Sequence, residues 1–187
     1  MAHTPPTLTT PRLVLRPHRL DDFDAYAAMW AEPAVVRFIG GTPFTREAAW
    51  IRFLRHAGLW QHLGFGFLAI EDRATGAFIG ECGFHDLKRA ITPPIEGTME
   101  AGWALVTGAQ GKGLAEEAMR AALGWADAHG VGERFTCLIE PDHAASIHVA
   151  EKLGFRRYTD GLYNGRSVVL LARPRGSAVA IDSAEHG

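Results

Sequence analysis

The chain has 187 residues, of which 47% are apolar, and a formal net charge of −2. This length suits one domain with a sizeable core, and no apolar run approaches the ~20 residues of a membrane span. The near-neutral charge argues against a broadly basic nucleic-acid surface. Met1 to His3 begins no secretory signal peptide, and Cys82 and Cys137 fall in predicted strands. We therefore expect a reduced, cytoplasmic protein that binds neither nucleic acid nor membrane.

The first part of the chain predicts one strand followed by two helices. In residues 12–17, Leu13 and Leu15 alternate with arginines, which is the period of a half-buried strand. Asp21 and Thr45 are candidate N-caps for the two helices. The apolar stripes predicted for these helices are Phe23, Tyr26, Ala27 and Trp30 on the first, and Trp50, Phe53, Leu54 and Ala57 on the second.

The remaining chain alternates strands and helices. A Thr-Gly turn joins two strands, at 66–72 and 77–85, in a predicted hairpin. Further strands are predicted at 98–105, 134–140 and 167–173, with helices from Leu114 to about His129 and over 144–153. This order predicts one mixed sheet with helices on both faces. A single domain at 9–173 would lie between loose ends at 1–8 and 174–187, which are rich in small and charged residues.

A glycine-rich turn, Gln110 to Ala115, lies between a predicted strand and an amphipathic helix. The helix is predicted from apolar residues at helical spacing, namely Ala115, Ala118, Met119, Ala122, Leu123 and Ala126. A turn of this kind presents unpaired backbone N–H groups at the positive end of the helix dipole, a combination that suits a phosphate. The sequence therefore predicts a phosphorylated cofactor.

Spacing separates the cofactor classes. A nucleoside triphosphate loop, G-x-x-x-x-G-K-[ST], is not available from Gly108 to Lys112, and Lys112 is followed by Gly113 instead of a hydroxyl residue. Gly111 and Gly113 fit the first half of the dinucleotide fingerprint G-x-G-x-x-G/A. Its third position, however, is Glu116, where a small residue is needed for close helix packing. A nucleotide-binding domain therefore stays a weaker alternative.

Coenzyme A is the third class, and here three segments resemble one family in the right order, from about residue 8 to 173. The glycine turn matches the Q/R-x-x-G-x-G/A pyrophosphate loop of the GNAT acetyltransferase superfamily, with Gln110, Gly113 and Ala115 at its defining positions. Residues 141–155, which end in K-L-G-F, resemble the next motif of that superfamily. The opening Thr10 to Arg16 is similar to the T-x-R-L-x-L-R start of the RimJ/RimL-like branch, which acetylates N termini of ribosomal proteins.

The resemblance implies a GNAT-like α/β (α+β) fold, with a central mixed, mostly antiparallel twisted sheet of about six to seven strands and helices on both faces. It also implies acetyl-CoA as co-substrate. The oxyanion of the reaction would be stabilised by a backbone N–H near Leu105 or Val106. The predicted coenzyme-binding residues are Trp103, Leu105 and Val106 for pantetheine, Gln110, Gly111, Lys112, Gly113, Leu114, Ala115 and Glu116 for pyrophosphate, and His143 and Ser146 at the following motif.

Amine acetylation requires a neutral amine, and an α-amine (pKa ~7.7–8.0) needs less help from a base than a lysine (~10.4). Glu100 is the preferred base, because it occupies the strand that leads to the acetyl site. Its structural alternative is a strand carboxylate bound by a neighbouring arginine or backbone N–H. Glu81, His85 and Asp86 end the preceding strand and are candidates for lining the amine pocket.

The leaving thiolate requires a proton. Ser146 matches the serine of the family's N-x-x-S and is the predicted donor, although it would also suit the first turn of its helix. Tyr158 and Tyr163 are the alternative acids. The family's asparagine is replaced by His143, whose neutral imidazole also offers a donor and an acceptor. His143 would either retain coenzyme binding or reach the amine.

The residues predict no metal centre, since no H-E-x-x-H and no C-x-x-C is present. The predicted function is direct acetyl transfer from acetyl-CoA to a primary amine, either a protein N-terminal α-amine or a small-molecule amine. The alternative is a catalytically inactive acyl-CoA sensor or interaction module, which the departure at His143 keeps open. The acceptor pocket would be formed mostly by residues 18–44, 81–97 and 156–166, which carry no motif that identifies the amine. A homodimer is a further expectation of the branch.

Overall fold

The structure is a computed structural model that describes residues 4–177. Of the two predicted loose ends, residues 1–3 and 178–187 lie outside the described residues. Leu8 belongs to a short first strand, and Pro174 ends the last one, so regular structure extends one residue beyond the predicted domain limit at each end. None of the helices between residues 4 and 177 combines the length and apolarity needed to cross a bilayer.

The described residues form one nine-stranded sheet in the order β1-β2-β3-β4-β6-β7-β9-β8-β5. The strands are β1 (Leu8–Thr9), β2 (Leu13–Arg16), β3 (Phe67–Asp72), β4 (Phe78–His85), β5 (Ile91–Thr92), β6 (Met99–Leu105), β7 (Arg134–Ile139), β8 (Arg156–Tyr163) and β9 (Arg166–Pro174). The helices are α1 (Phe23–Ala31), α2 (Pro33–Val36), α3 (Arg46–Leu63), α4 (Leu114–Ala128) and α5 (Ala144–Lys152). This confirms the predicted mixed, mostly antiparallel α/β fold.

The strand count exceeds the six to seven expected. The additions include β1 and β5, which have two residues each, and β8. The side chains of β8 alternate between exposed and half-buried, and none is buried, so its sequence carries no apolar period. Pairing with β9 along its length maintains the strand instead.

The helix predictions differ from the structure in two details. Thr45 caps α3 as expected, since its hydroxyl accepts the Ala48 N–H at 3.1 Å. Only Phe53 of the predicted stripe of α3 is buried, since Trp50 and Leu54 are 37% and 49% exposed and Ala57 is exposed as well. The buried face includes His56, a polar residue that hides the period. The predicted cap Asp21 is also wrong.

The residue that precedes α1 is Asp22 instead of Asp21. The Asp22 carboxylate does not cap the helix. It binds the guanidinium of Arg16 at 2.8 Å and accepts the backbone N–H of Arg19 at 2.6 Å. The buried ion pair therefore takes the oxygens that a cap would use.

The sheet is covered on both faces. On one face α4 buries Met119 and Leu123 in the same cluster as Phe84 of β4. On the other face α1 and α3 form a second cluster. Because successive side chains of a strand point to opposite faces, Glu81 and His85 of β4 lie on the face opposite Phe84. We call this second side, covered by α1 and α3, the α3 face.

One seam of the sheet is open. Strands β6 and β7 are the parallel neighbours within residues 4–177, and they pair only at Met99 with Phe135 and at Glu100 with Thr136. Beyond these positions β6 continues to Leu105, still paired with β4 on its other edge. The edge of β6 that faces β7 is therefore left without a strand partner after Glu100.

Candidate active site

The glycine turn has the geometry of an anion site. Gly111 and Gly113 have φ of +71° and +72°, in the left-handed region that favours glycine. The Gln110 side chain donates to the Leu105 carbonyl at 3.0 Å, which ties the turn to the end of β6. Within residues 4–177, the N–H groups that open α4 at Leu114 to Glu116 meet no acceptor. They are free donors at the positive end of a 15-residue helix.

The two acidic residues at the start of α4 have partners of their own. Glu116 binds Arg120 at 2.7 Å. Glu117 accepts from the Nε of Arg12 at 2.6 Å, and the same guanidinium donates to the carbonyl of Lys112 at 2.9 Å. Glu116 therefore pairs within its own helix and leaves the turn open to an anion. Arg12, which directly precedes β2, thus connects the turn and the start of α4 to that strand.

The open edge of β6 offers backbone donors next to this turn. The Val106 N–H donates to the Ile79 carbonyl at 3.0 Å, so the predicted donor Val106 is already used by β4. N–H groups alternate between the two edges of a strand, which directs those of Leu105 and Trp103 towards the open seam. Leu105, at the end of the strand, is the remaining oxyanion donor of the predicted pair.

Glu100 lies beside His85, at directly paired positions of β6 and β4 on the α3 face. Its Oε1 is 2.9 Å from His85 Nε2, and Arg89 donates to both carboxylate oxygens, at 2.6 and 2.9 Å. Burial opposes ionisation, but the hydrogen bonds from His85 and Arg89 lower the pKa of Glu100 to about 2. Glu100 is thus an ionised, fully bonded carboxylate at neutral pH.

The nitrogen of this network that is available to accept a proton is Nδ1 of His85. Burial lowers the pKa of His85, which keeps its imidazole neutral. His85 Nε2 lies 2.9 Å from Glu100 Oε1 and 3.5 Å from Arg89 Nη2. Because the carboxylate oxygen is the nearer neighbour and can only accept, we assign the ring proton to Nε2, which leaves the lone pair on Nδ1. Nδ1 is buried and has no hydrogen-bond partner among the described residues. The sequence placed His85 near the amine but did not identify this pairing.

Ser146 and His143 come together at the start of α5. The serine hydroxyl lies 3.2 Å from His143 Nε2. The His143 ring stacks on Phe38 with centroids 4.3 Å apart, and burial lowers the pKa of His143. The alternative acids lie elsewhere. Tyr163 accepts a hydrogen bond from Arg89 at 2.8 Å, and Tyr158 is exposed under the guanidinium of Arg134.

A second buried ionisable cluster lies on the α3 face around Glu81, which is fully buried. Arg52 donates to its Oε1 at 3.2 Å. His56 Nε2 and His18 Nε2 lie 2.8 and 3.4 Å from Oε2. Neither histidine contact is aligned as a hydrogen bond, and His56 Nε2 instead faces the Tyr26 hydroxyl at 3.1 Å. Sequence reasoning missed Arg52, His56 and His18, because they belong to no motif.

This cluster is the one group within residues 4–177 with atoms placed like metal ligands: His18, His56 and Glu81 each have one within 4.8 Å of the others. The two imidazole rings, however, are stacked at 4.4 Å and only 8° from parallel. Lone pairs in parallel planes do not converge on one ion, and Arg52 already neutralises the carboxylate. The geometry therefore fits a packed polar core better than a metal centre.

A cavity of about 620 Å³ adjoins the glycine turn on its β2 side. Three cationic side chains border it, those of Arg12, Arg73 and Lys112. Arg73 and Lys112 bind backbone carbonyls of Thr10 and Gly108 instead of carboxylates. Neither side chain forms an ion pair within residues 4–177, although the Asp72 carboxylate lines the same cavity and offsets part of the positive charge beside the turn.

Comparisons with known proteins concern the same segments. Residues 12–156 match the family model for the acetyltransferase (GNAT) domain. A structure described as a GNAT-family acetyltransferase of Bordetella pertussis is similar to this chain, with 35% identity and a TM-score of 0.80 over 90% of this chain and 99% of that one. The uncharacterised N-acetyltransferase p20 of Bacillus licheniformis is 27% identical over 81% of this chain and 83% of its own length.

The fold is also similar to that of RimL, a ribosomal L7/L12 α-N-protein acetyltransferase solved with coenzyme A. The TM-score is 0.75, over 92% of this chain and all of that one, but the identity is 18%, so the likeness concerns the fold alone. The segment that matches the family model contains the glycine turn, the open seam and Ser146.

Proposed function

Since the chain belongs to the GNAT acetyltransferase family and is an acyltransferase, we propose that it transfers an acetyl group from acetyl-CoA directly to a primary amine. The observation that carries this proposal is the open β6 edge, which ends at the free N–H groups that begin α4. An extended thioester arm needs such an edge, and a pyrophosphate needs such donors. The three ordered motifs support the RimJ/RimL-like branch, whose relative RimL acts on an α-amine.

In the proposed complex the pantetheine arm pairs with the backbone of Trp103 and Leu105. The pyrophosphate accepts from the N–H groups at Leu114 to Glu116, with Lys112 nearby. Gln110 holds the turn to β6, and His143 with Ser146 borders the arm from α5. The thioester is already activated, so holding the amine and the carbonyl carbon in register supplies much of the rate.

The proposed reaction has two steps: addition of the amine to the thioester and collapse of the resulting tetrahedral intermediate. The amine nitrogen attacks the thioester carbon, and the Leu105 N–H stabilises the oxyanion. The carbon–sulfur bond then breaks, and Ser146, which is half-buried, passes its hydroxyl proton to the departing thiolate and regains one from solvent water, while the proton taken up by His85 returns to solvent. The ammonium proton passes to Nδ1 of His85, while Glu100 holds the imidazole in the tautomer that accepts it. Glu100 is thus a positioning residue in this proposal, and its pKa of about 2 is the reason.

The first test is a calorimetric titration of the protein with acetyl-CoA, with NADH and ATP as control ligands. Micromolar binding of acetyl-CoA alone is the expected result. Thiol release from acetyl-CoA is then measured with a panel of primary amines. A folded protein that does not bind acetyl-CoA would contradict the proposal. Binding without turnover of any amine would support the alternative, a catalytically inactive acyl-CoA module.

The free, buried cysteines support a reducing, cytoplasmic location. A sedimentation measurement tests the proposed homodimer.

A further inference from the structure

Among the described arginines near Glu81 and Glu100 on the α3 face, Arg52 and Arg89 each bind a carboxylate, and Arg55 has no ion pair. We infer that Arg55 of α3 binds a carboxylate or a similar oxyanion on the amine acceptor, so that the acceptor is an amino acid or a related amine that carries its own negative charge. The inference rests on the proposed function, because it assigns the acceptor class of that same site.

The carboxylates of this face are already bound. Glu81 is held by Arg52, and Glu100 is held by Arg89. Arg55 lies one turn after Arg52 and next to His56, but among residues 4–177 no ion pair or side-chain hydrogen bond reaches it. Its Nε is buried without a partner, and the side chain as a whole is half-buried.

The surroundings make this unpaired charge costly. Burial and the like charges of Arg52 and Arg89 lower the pKa of Arg55. A guanidinium that has lost part of its water without gaining an anion destabilises the folded protein. An incoming oxyanion would pair with it in the planar, two-bond geometry that arginine favours. The missing partner is therefore explained if the substrate supplies it.

The position of Arg55 connects it to the proposed proton acceptor. The neighbouring His56 stacks near the Phe67 ring with centroids 5.6 Å apart, and the other neighbour of that ring is His85, at 5.2 Å. Arg55 is adjacent in sequence to His56, which forms the helix end of this row, and it lies close enough to Arg89, the partner of Glu100, for that charge to lower its pKa. An acceptor with its amine at His85 would have its anion near Arg55, whereas a polycationic amine would meet the unpaired positive charge of Arg55.

The test compares amino acids with their amides, which lack the carboxylate charge, and with a polyamine. Thiol release is measured with the common L-amino acids, with their amides, and with spermidine. We expect the free acids to be preferred. Arg55→Gln should raise KM for the best acid by about 10- to 100-fold and leave its amide unchanged, since a hydrogen bond to a charged group is worth about 1.5–3 kcal/mol. Arg55→Lys should recover part of the loss.

Arg46→Gln is the matched control. Arg46 lies at the exposed start of the same helix, where it pairs with Asp24. It should leave both KM values and the acid-to-amide preference at the wild-type level. Calorimetry with acetyl-CoA shows in parallel whether Arg55→Gln keeps the coenzyme site.

Two results would overturn the inference. One is equal or better use of the amides or spermidine. The other is an acid preference that persists in Arg55→Gln. If acetyl-CoA binds but no amine is turned over, the proposed function fails. In that case, the same amino acids are titrated into the protein–CoA complex by calorimetry to test whether Arg55 forms an anion site. Binding that Arg55→Gln abolishes would support the site, and no binding of any acid would refute it.

Discussion

Nε2 of His85 lies 2.9 Å from Oε1 of Glu100, at paired positions of two neighbouring strands. The contact favours the tautomer with the proton on Nε2, because the ionised carboxylate can only accept and lies nearer than Arg89 Nη2, which is 3.5 Å away. It leaves Nδ1 of His85 as the unpaired basic atom. The two residues therefore have different proposed roles. Glu100 is charged and positions the imidazole, whereas His85 is neutral and can accept a proton.

Glu100→Gln tests this division. The amide can donate to His85 as well as accept from it, so the imidazole loses its enforced tautomer. We expect kcat at neutral pH to fall by about 10²-fold, within the range for general-base catalysis. The calorimetric Kd for acetyl-CoA should stay unchanged, because Glu100 lies on the α3 face and outside the glycine turn. His85→Gln should cause a loss of similar size, and the double variant should be no worse than either single one.

A wild-type rate in both single variants would contradict the assignment of this pair, although the family would stand. A fall in acetyl-CoA affinity that matches the fall in kcat would point to a structural role instead. Circular dichroism of the variants separates unfolding from either outcome, since Arg89 loses its anionic partner in Glu100→Gln.

Gly113 is a position in the glycine turn where a side chain should be poorly tolerated. Its φ is +72°, although an added Cβ would meet nothing closer than 3.6 Å, so the cost is backbone strain and not a collision. We expect Gly113→Ala to destabilise the protein by about 1 kcal/mol and to weaken acetyl-CoA binding at least tenfold. Urea unfolding and calorimetry measure the two effects.

Gly124→Ala is the matched change on the same helix. Gly124 lies inside α4 with ordinary helical backbone, and nothing lies within 4 Å of an added Cβ. Alanine should stabilise the helix by about 0.5–1 kcal/mol and leave acetyl-CoA affinity unaltered. If both alanines behaved alike, the left-handed turn would not be what the coenzyme site depends on.

The glycine turn could be predicted because its chemistry is local: adjacent residues set its backbone angles, and the helix that it begins has a clear apolar period. The α3 face could not be predicted. Arg52, Arg55 and His56 belong to one helix, whereas Glu81 and Glu100 belong to two strands, and only the sheet register brings them together. Because His56 is polar although it is buried, it interrupts the apolar period of α3, and the prediction therefore chose the exposed Trp50 and Leu54.

Ser146→Ala tests the proposed acid. A free thiol has a pKa of about 8.5, so the thiolate leaves without full protonation, and we expect kcat to fall only about tenfold. The 3.2 Å contact between Ser146 and His143 makes His143→Asn the companion change, since it restores the family's residue next to an intact serine. That variant should retain wild-type kcat in the thiol-release assay. A large loss in His143→Asn with no loss in Ser146→Ala would assign the proton donor to the histidine.

The His56 imidazole should make folding stability depend on pH. Burial lowers the pKa of His56 from 6.5 to about 4, so the folded protein holds it neutral while the unfolded chain takes up a proton below about pH 6.5. Its contribution is present above that pH and is lost as the pH falls towards 4, by at most about 3 kcal/mol for a shift of this size. His85 and His143 act in the same direction. Glu100 affects the pH dependence of stability only at lower pH. Its stabilising effect is lost between the pKa of Glu100 in the unfolded chain and its pKa of about 2 in the folded protein.

His56→Gln removes this titration and retains a polar partner for Tyr26. Urea unfolding at about pH 7 and about pH 5 should therefore show a smaller loss of unfolding free energy in the variant than in the wild type. His62→Gln, a change near the end of the same helix at an exposed position, is the control and should keep the wild-type slope. An equal slope in all three proteins would mean that His56 is not held neutral beside Glu81, and the electrostatic description of the α3 face would need revision.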